Sequence, residues 1–379
     1  MQQVKWAEFE LQELFDISTS KSVDKGKLDI SDKKSDFDFI GRTSLNNGVQ
    51  GFIEELDFSA NPKNTFSLTQ IGKNVCQFRN RQWYASQNIF LLSPKNVQAV
   101  ENYNFLNSVI NFLLKKYGDG YTDYPTLNKL KTDKIFLPIK QNSDLDKISQ
   151  IDFEFMEKFI SEIENERLAR LNEHLREVGL IDCTLTDDEW RVLNEFQSDN
   201  IDWAEYKMSD LFEKIKTKKL PYPAKSLPKE PTDDYVLPCL TSSFQNQGLN
   251  YFTPTDNATI LKNVISIPSN SDVYRAYFQS RDFTVLSDAY AIKWKYDDKQ
   301  YDAKLFLFMV ASINQVTDLP IYSYKNKLGG WNVVKDKYIQ LPTKDNAPDI
   351  EKMQTLILAL QKYLIKDVVE YVNGKIKSP

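Results

Sequence analysis

Histidine is almost missing from this chain: 379 residues contain only His174, in the leucine-bearing stretch Arg170–Glu177. That excludes serine–histidine and cysteine–histidine triads and most zinc enzymes, and His174 itself reads as a solvated or interface side chain. Cysteine is nearly as scarce. Cys76, Cys183 and Cys239 are far apart, odd in number and never at metal-ligand spacing, which suits a reducing cytoplasm. Long apolar runs are lacking too: Leu305–Ile313 and Val109–Leu114 fall well short of the roughly 18 residues that span a bilayer, and Met1–Lys5 has no signal-peptide core. None of the 12 glycines builds a phosphate-cradling loop, and Gly329-Gly330 reads as a turn. Asn61-Pro62-Lys63-Asn64 has the wrong residues to hold a flipped base. Pro348-Asp349-Ile350-Glu351-Lys352 imitates a nuclease metal motif, but it is compressed into the first turn of a predicted helix, where acids are at home. No catalytic residue, metal or cofactor is expected. Positive charge is not in excess either. With 48 basic and 53 acidic side chains the net charge is −5, which argues against indiscriminate coating of nucleic acid but leaves room for local basic clusters.

What the chain does have is a repeat. Trp6-Ala7-Glu8-Phe9 returns 197 residues later as Trp203-Ala204-Glu205-Tyr206, followed in each copy by Leu14-Phe15 and Leu211-Phe212. Asn46-Asn47-Gly48 returns as Asn246-Gln247-Gly248 at an offset of 200, as do Phe78, Arg81 and Trp83 as Phe278, Arg281 and Phe283. Leu137-Pro138 returns as Leu341-Pro342 at 204. Anchors in the same order, with a slowly growing offset, describe a duplication. Each copy, residues 1–140 and 203–345, has short β-branched and aromatic runs that predict strands (Thr65–Leu68, Asn88–Leu92; Val264–Pro268, Ala289–Trp294). Helical stretches follow at Phe105–Lys116 and Lys304–Asn314, so each copy predicts a mixed α/β domain.

A long helix is predicted after each copy. Residues 141–178 hold one, free of Gly and Pro over 144–177, with Ile148, Ile151, Phe155, Ile163 and Leu171 on its stripe; residues 346–379 hold the other, with Ile350, Met353, Ile357, Leu360 and Leu364 in heptad spacing and Gly374 marking its end. Two such stripes suggest an antiparallel helix pair. Residues 179–202 read as an exposed connector carrying a short helix, N-capped by Thr186, with Trp190 and Leu193 on its inner face.

The chemistry present is that of polar loops. Arg42, Thr43, Asn46, Asn47 and Gln50 in the first copy match Ser242, Ser243, Gln245 and Asn246 in the second; Asn and Gln can grip adenine, Arg guanine, and hydroxyls either. The same residues equally suit Asx turns closing a hairpin. Lys73, Arg79 and Arg81, with Arg275 and Arg281, could hold phosphates or line a solvated strand edge. Tyr324, Lys325, Asn326 and Lys327 interleave aromatic and basic side chains, with Lys129 in the counterpart segment Tyr121–Lys131.

The Trp-x-x-Phe/Tyr…Leu-Phe openings, the Asn-Asn-Gly loop, the Leu-Pro strand ends, the Tyr322–Leu328 loop and the Leu185–Glu189 connector together resemble specificity subunits of type I restriction–modification systems and the similar type IIB subunits. The resemblance covers essentially the whole chain and implies an α+β fold. Two tandem, pseudo-twofold-related mixed α/β target-recognition domains would be separated by two long antiparallel coiled-coil helices. It also implies a non-enzymatic protein whose partners are double-stranded DNA, DNA methyltransferase subunits and, in type I systems, a motor–nuclease restriction subunit. Each domain would read half of a split target from the major groove. Where the second copy has its basic aromatic loop the first has Tyr121-Thr122-Asp123-Tyr124-Pro125, a departure from the pattern. The rival reading is a non-nucleic-acid adaptor built on a coiled-coil core, which the net negative charge favours.

Overall fold

The computed structural model describes residues 4–32, 37–118, 123–140 and 146–377. Two compact units, Met1–Arg170 and Leu171–Pro379, divide within a long helix.

The N-terminal unit contains β1 (Lys5–Glu10), α1 (Leu11–Leu14), β2 (Phe15–Thr19), β3 (Phe37–Ile40), β4 (Val49–Ile53), β5 (Thr65–Thr69), β6 (Cys76–Arg79), β7 (Trp83–Ala85) and β8 (Ile89–Pro94). It continues with α2 (Val97–Glu101), α3 (Tyr103–Leu114), α4 (Leu127–Thr132), β9 (Lys134–Ile139) and the start of α5 (Phe153–Glu177). Its sheets run β1-β9, β2-β8-β5-β6 and β4-β3-β7, with β3 and β7 parallel. The second unit contains α6 (Asp187–Gln197), β10 (Trp203–Lys207), α7 (Met208–Leu211), β11 (Phe212–Lys214), β12 (Leu237–Leu240), β13 (Leu249–Thr253), β14 (Val264–Pro268), β15 (Tyr277–Gln279), β16 (Thr284–Val285) and β17 (Ala289–Trp294). Then come α8 (Ala303–Thr317), α9 (Trp331–Val334), β18 (Tyr338–Lys344), β19 (Ala347–Pro348) and α10 (Ile350–Lys377). Its sheets, β10-β18-β19, β11-β17-β14-β15 and β13-β12-β16, repeat the first set, including the parallel pair β12–β16.

The duplication seen in sequence has a direct structural cause. Trp6 pairs with Pro138 and Ala7 with Leu137 across β1–β9; Trp203 pairs with Pro342 and Ala204 with Leu341 across β10–β18. The first and last signatures of each copy are therefore strand partners. In each unit the four-stranded sheet is covered by an amphipathic helix. Leu106, Ile110 and Leu114 of α3, and Leu305, Met309 and Ile313 of α8, recur every four residues and are buried, each worth about 1.5–3 kcal/mol. Both helices also grip the sheet edge by one amide: Asn111 accepts from Cys76 N–H and donates to its carbonyl (2.9 and 2.8 Å), and Asn314 does the same at Ala276 (2.7 and 3.3 Å).

The long helices differ from expectation. The first starts at Phe153, because Asp146 folds residues 146–149 into a side-chain-capped turn and Asp152 caps α5 by accepting from Phe155 N–H at 3.0 Å. Ile148 and Ile151 thus precede the helix and pack into the N-terminal core, Ile151 fully buried beside Ile139. Phe155 meets Trp6 edge-on and stacks on Phe159, while Ile163 and Leu171 are half-buried. In α10, Met353 is buried in the core of its own unit and Ile350, Ile357 and Leu360 pack against that core, whereas Leu364 is 76% exposed. Heptad spacing there satisfies a globular core. Gly374 does not end α10, which continues to Lys377.

The connector is likewise corrected. Thr186 caps α6 as expected, in a capping box with Glu189, and Leu193 faces inward with Val192, but the two enter the core and Trp190 stays exposed. Lys362 and Lys352 of α10 reach Glu189 and Glu195 at 2.8 and 3.0 Å, so α6 is part of the domain wall. Asp349 accepts from Lys352 N–H at 2.9 Å as the cap of α10, which accounts for the nuclease-like run.

Candidate nucleic-acid interface

Between β3 and β4, and again between β12 and β13, the chain makes the same unusual turn. Asn46 (φ 45°, ψ 42°) and Asn47 (54°, 29°) are left-handed, as are Asn246 (47°, 39°) and Gln247 (55°, 31°), each pair followed by a positive-φ glycine, Gly48 or Gly248. Asparagine tolerates this conformation; glutamine lacks the short amide that eases it, and left-handed residues cost roughly 1–2 kcal/mol. Such strain persists only where the surroundings enforce it.

The surroundings do so in both units, through the same closing bonds but different braces. The turn closes by Gly41 N–H to the Gly48 carbonyl (2.9 Å) and Thr241 N–H to the Gly248 carbonyl (3.0 Å). Thr43 Oγ1 and Ser243 Oγ accept from the N–H two residues on, at 3.1 and 3.2 Å. Beneath the first turn, buried Arg79 donates to the Asn47 carbonyl (2.7 Å), Ser67 Oγ (2.9 Å) and Gln77 Oε1 (2.8 Å). Beneath the second, Gln279 donates to the Gln247 carbonyl (3.1 Å) and Ser266 Oγ (3.0 Å). Tyr277, at the position of Gln77, donates to the Phe244 carbonyl at 2.9 Å, and Ser271 to that of Ser242 at 2.7 Å. The braces Gln77, Gln279, Tyr277 and Ser271 escape sequence inspection, although the 200-residue offset pairs Arg79 with Gln279 and Gln77 with Tyr277.

What the turns present outward are side chains. Arg42, Asn46 and Asn47 are exposed at one tip, Gln245, Asn246 and Gln247 at the other. Asn46 also donates to the Val49 carbonyl at 3.1 Å. Gln50 is half-buried against Gly41, and Ser242 and Ser243 are half-buried at the base of their turn.

The arginines are a correction. Arg79 is buried with its donors committed within the chain; burial pulls its guanidinium down to about 10, against the charge of Asp38, so it remains a cation at neutral pH but not one that can meet a phosphate. Arg81 pairs with Asp38 at 2.6 Å and lies over the Phe52 ring. Arg275 pairs with Asp318 at 2.6 Å, which raises it further. Arg281, Lys73 and Lys129 are exposed. In the second unit Tyr324 N–H donates to Asp272 at 2.8 Å, carrying the Tyr324–Lys327 loop to the segment that also holds Ser271 and Tyr277. Asn326 shapes that loop by donating to the Ile321 carbonyl at 2.7 Å, Lys327 lies over the Tyr324 ring at 4.5 Å, and Lys325 is exposed. Tyr121 and Thr122 lie outside the described residues. Burial raises the thiols of Cys76 and Cys239 to about 12, so neither is a nucleophile. Among the described residues no cluster of His, Cys, Asp and Glu could hold a metal ion, and no helix is long and apolar enough to cross a membrane.

The type I restriction modification DNA specificity domain pattern matches residues 3–173 and 200–378. The specificity subunit S.BcgI of a type II restriction enzyme of Heyndrickxia coagulans is 22% identical over 374 residues, covering 97% of this chain and 98% of that subunit. The S subunit of a type I restriction–modification system from M. genitalium has the same fold at a TM-score of 0.57 and 13% identity, over 100% of this chain and 94% of that one. Matched along both copies, each with its braced turn on the same set of sheets, the chain belongs to the type I restriction modification DNA specificity domain family.

Proposed function

We propose that this chain is the DNA-reading subunit of a restriction–modification complex, in which each unit reads one half of a bipartite target. The observation that carries this reading is the pair of braced left-handed turns. Their backbones are the same, yet their outward side chains differ: Leu45-Asn46-Asn47 against Gln245-Asn246-Gln247. A constant frame with variable amide-bearing tips suits base-edge recognition, in which Asn and Gln pair bidentately with adenine. The chemistry would come from methyltransferase subunits docked on α5 and α10, joined in a type I arrangement by a motor–nuclease subunit, in the cytoplasm.

The test is methylome sequencing. Replacing residues 1–140 by the matching domain of a relative should change one half of the methylated motif and leave the other intact. A motif unchanged in both halves would sink the reading.

A further inference from the structure

A DNA-reading chain with a net charge of −5 must still hold phosphates, and the conspicuous arginines Arg79, Arg81 and Arg275 are engaged within the protein. A dense run of free positive charge lies elsewhere. Lys214, Lys216, Lys218 and Lys219 fall within six residues, all are exposed, and among the described residues none has an ion-pair partner. Glu213, the acid beside them, is held by Lys293 at 2.8 Å. Lys214, Lys218 and Lys219 line a cavity of about 630 Å³ whose facing wall is Val285–Ala289, with Asp288 its only acid. The Lys214 ammonium sits 5.6 Å over the buried Tyr290 ring, which fixes its stem.

That wall is joined to the second turn by short hydrogen bonds. Leu286 N–H donates to the Leu240 carbonyl (2.9 Å), the residue before the turn begins, and Ser269 N–H donates to the Asp288 carbonyl (2.9 Å) two residues from Ser271, which holds Ser242. The first copy keeps one of these four lysines at the matching positions. At the 197-residue offset, Ile17, Thr19 and Ser22 stand where Lys214, Lys216 and Lys219 do, and Lys21, matching Lys218, donates to Ser59 Oγ at 3.1 Å.

We propose that the Lys214–Lys219 cleft grips the DNA phosphate backbone flanking the half-site read by the C-terminal unit, so that this unit anchors the duplex while both turns read it. The inference rests on the DNA-reading function proposed above. Phosphate contacts release counterions, about 0.9 of slope in log Kobs against log salt for each. The test compares the full chain, with the methyltransferase subunits of its system present, to a Lys214→Gln/Lys218→Gln/Lys219→Gln variant, on target and random duplexes from low to high sodium chloride. The side chains are exposed, so the variant should fold normally. It should lose about 2–3 of slope on both duplexes, keep the target-to-random ratio, and recover with arginine at the three sites. Lys299→Gln, in the same unit, should leave the slope unchanged. A triple variant with the wild-type slope, or a loss confined to the target, would overturn the proposal. If the wild-type complex bound neither duplex, the DNA-reading function would fail first and take the cleft with it.

Discussion

At the scale of single residues, the two turns share a backbone but not its enforcement, and this separates the copies energetically. A Cβ on Gly48 would lie 2.6 Å from Gln77 Oε1 and 3.0 Å from an Arg79 nitrogen; on Gly248 the nearest atoms are 3.5 Å away. Gly48→Ala should therefore cost about 2–3 kcal/mol, from contact as well as positive φ, and Gly248→Ala only about 1 kcal/mol. Denaturant unfolding of the two variants checks the difference. Arg79→Ala strands the Asn47 carbonyl, Ser67 and Gln77, and should cost about 3 kcal/mol and blur the first half-site. Arg79→Gln, which copies the second domain's Gln279, should restore most of both. Equal stability for the two Arg79 variants would show that the brace is not what sets the turn.

Among elements, the α6–α10 contact shows a polar seam inside an apolar one. Burial raises the Glu189 carboxyl, but hydrogen bonds from Lys362 and Thr186 overcome it and hold the group below its usual range. Its folded value is depressed, so its contribution is present above the unfolded carboxylate range and disappears as pH falls through the folded value. Lys362→Met, which leaves Glu189 buried without its cation, should cost about 3 kcal/mol at pH 7 and progressively less as the solution is acidified. Thermal unfolding across that range measures it, and a pH-independent loss would exclude the ion pair as its origin. The same helix shows why a heptad pattern is ambiguous. Ile350, Met353, Ile357 and Leu360 repeat as a coiled-coil seam would, yet they meet the strands and helices of their own unit.

For the whole molecule, duplication gives two units with one braced turn each, and the proposed function assigns each turn its own half-site. Asn47 and Asn246 sit in different units, so on the proposed function their effects should segregate. Asn47→Ala should relax one half of the motif and Asn246→Ala the other, each by about 1–3 kcal/mol, with the double variant losing the sum to within about 0.5 kcal/mol. Mobility shifts on duplexes substituted in one half at a time make the comparison. Both variants relaxing the same half would contradict the division of labour.

The repeat was readable in the linear sequence because paired strands must keep complementary residues: Trp6-Ala7 and Leu137-Pro138 recur together since they face each other. Strands Val264–Pro268 and Ala289–Trp294 and the helices over them were equally legible, since period and residue type fix a buried strand or an amphipathic helix locally. The Asn-Asn-Gly turn announced itself through residues that accept positive φ. What lay beyond reach was whom each side chain meets. A charged residue looks the same in sequence whether it stands in solvent or lies buried, as Arg79 does, beneath a turn 32 residues away, and a stripe such as Ile350–Leu360 does not say what covers it. Local preference therefore fixed the elements and their duplication. Long-range packing alone decided that Arg79 braces a turn, that Arg81 and Arg275 are held by Asp38 and Asp318, and that the lysines of Lys214–Lys219 line one cleft.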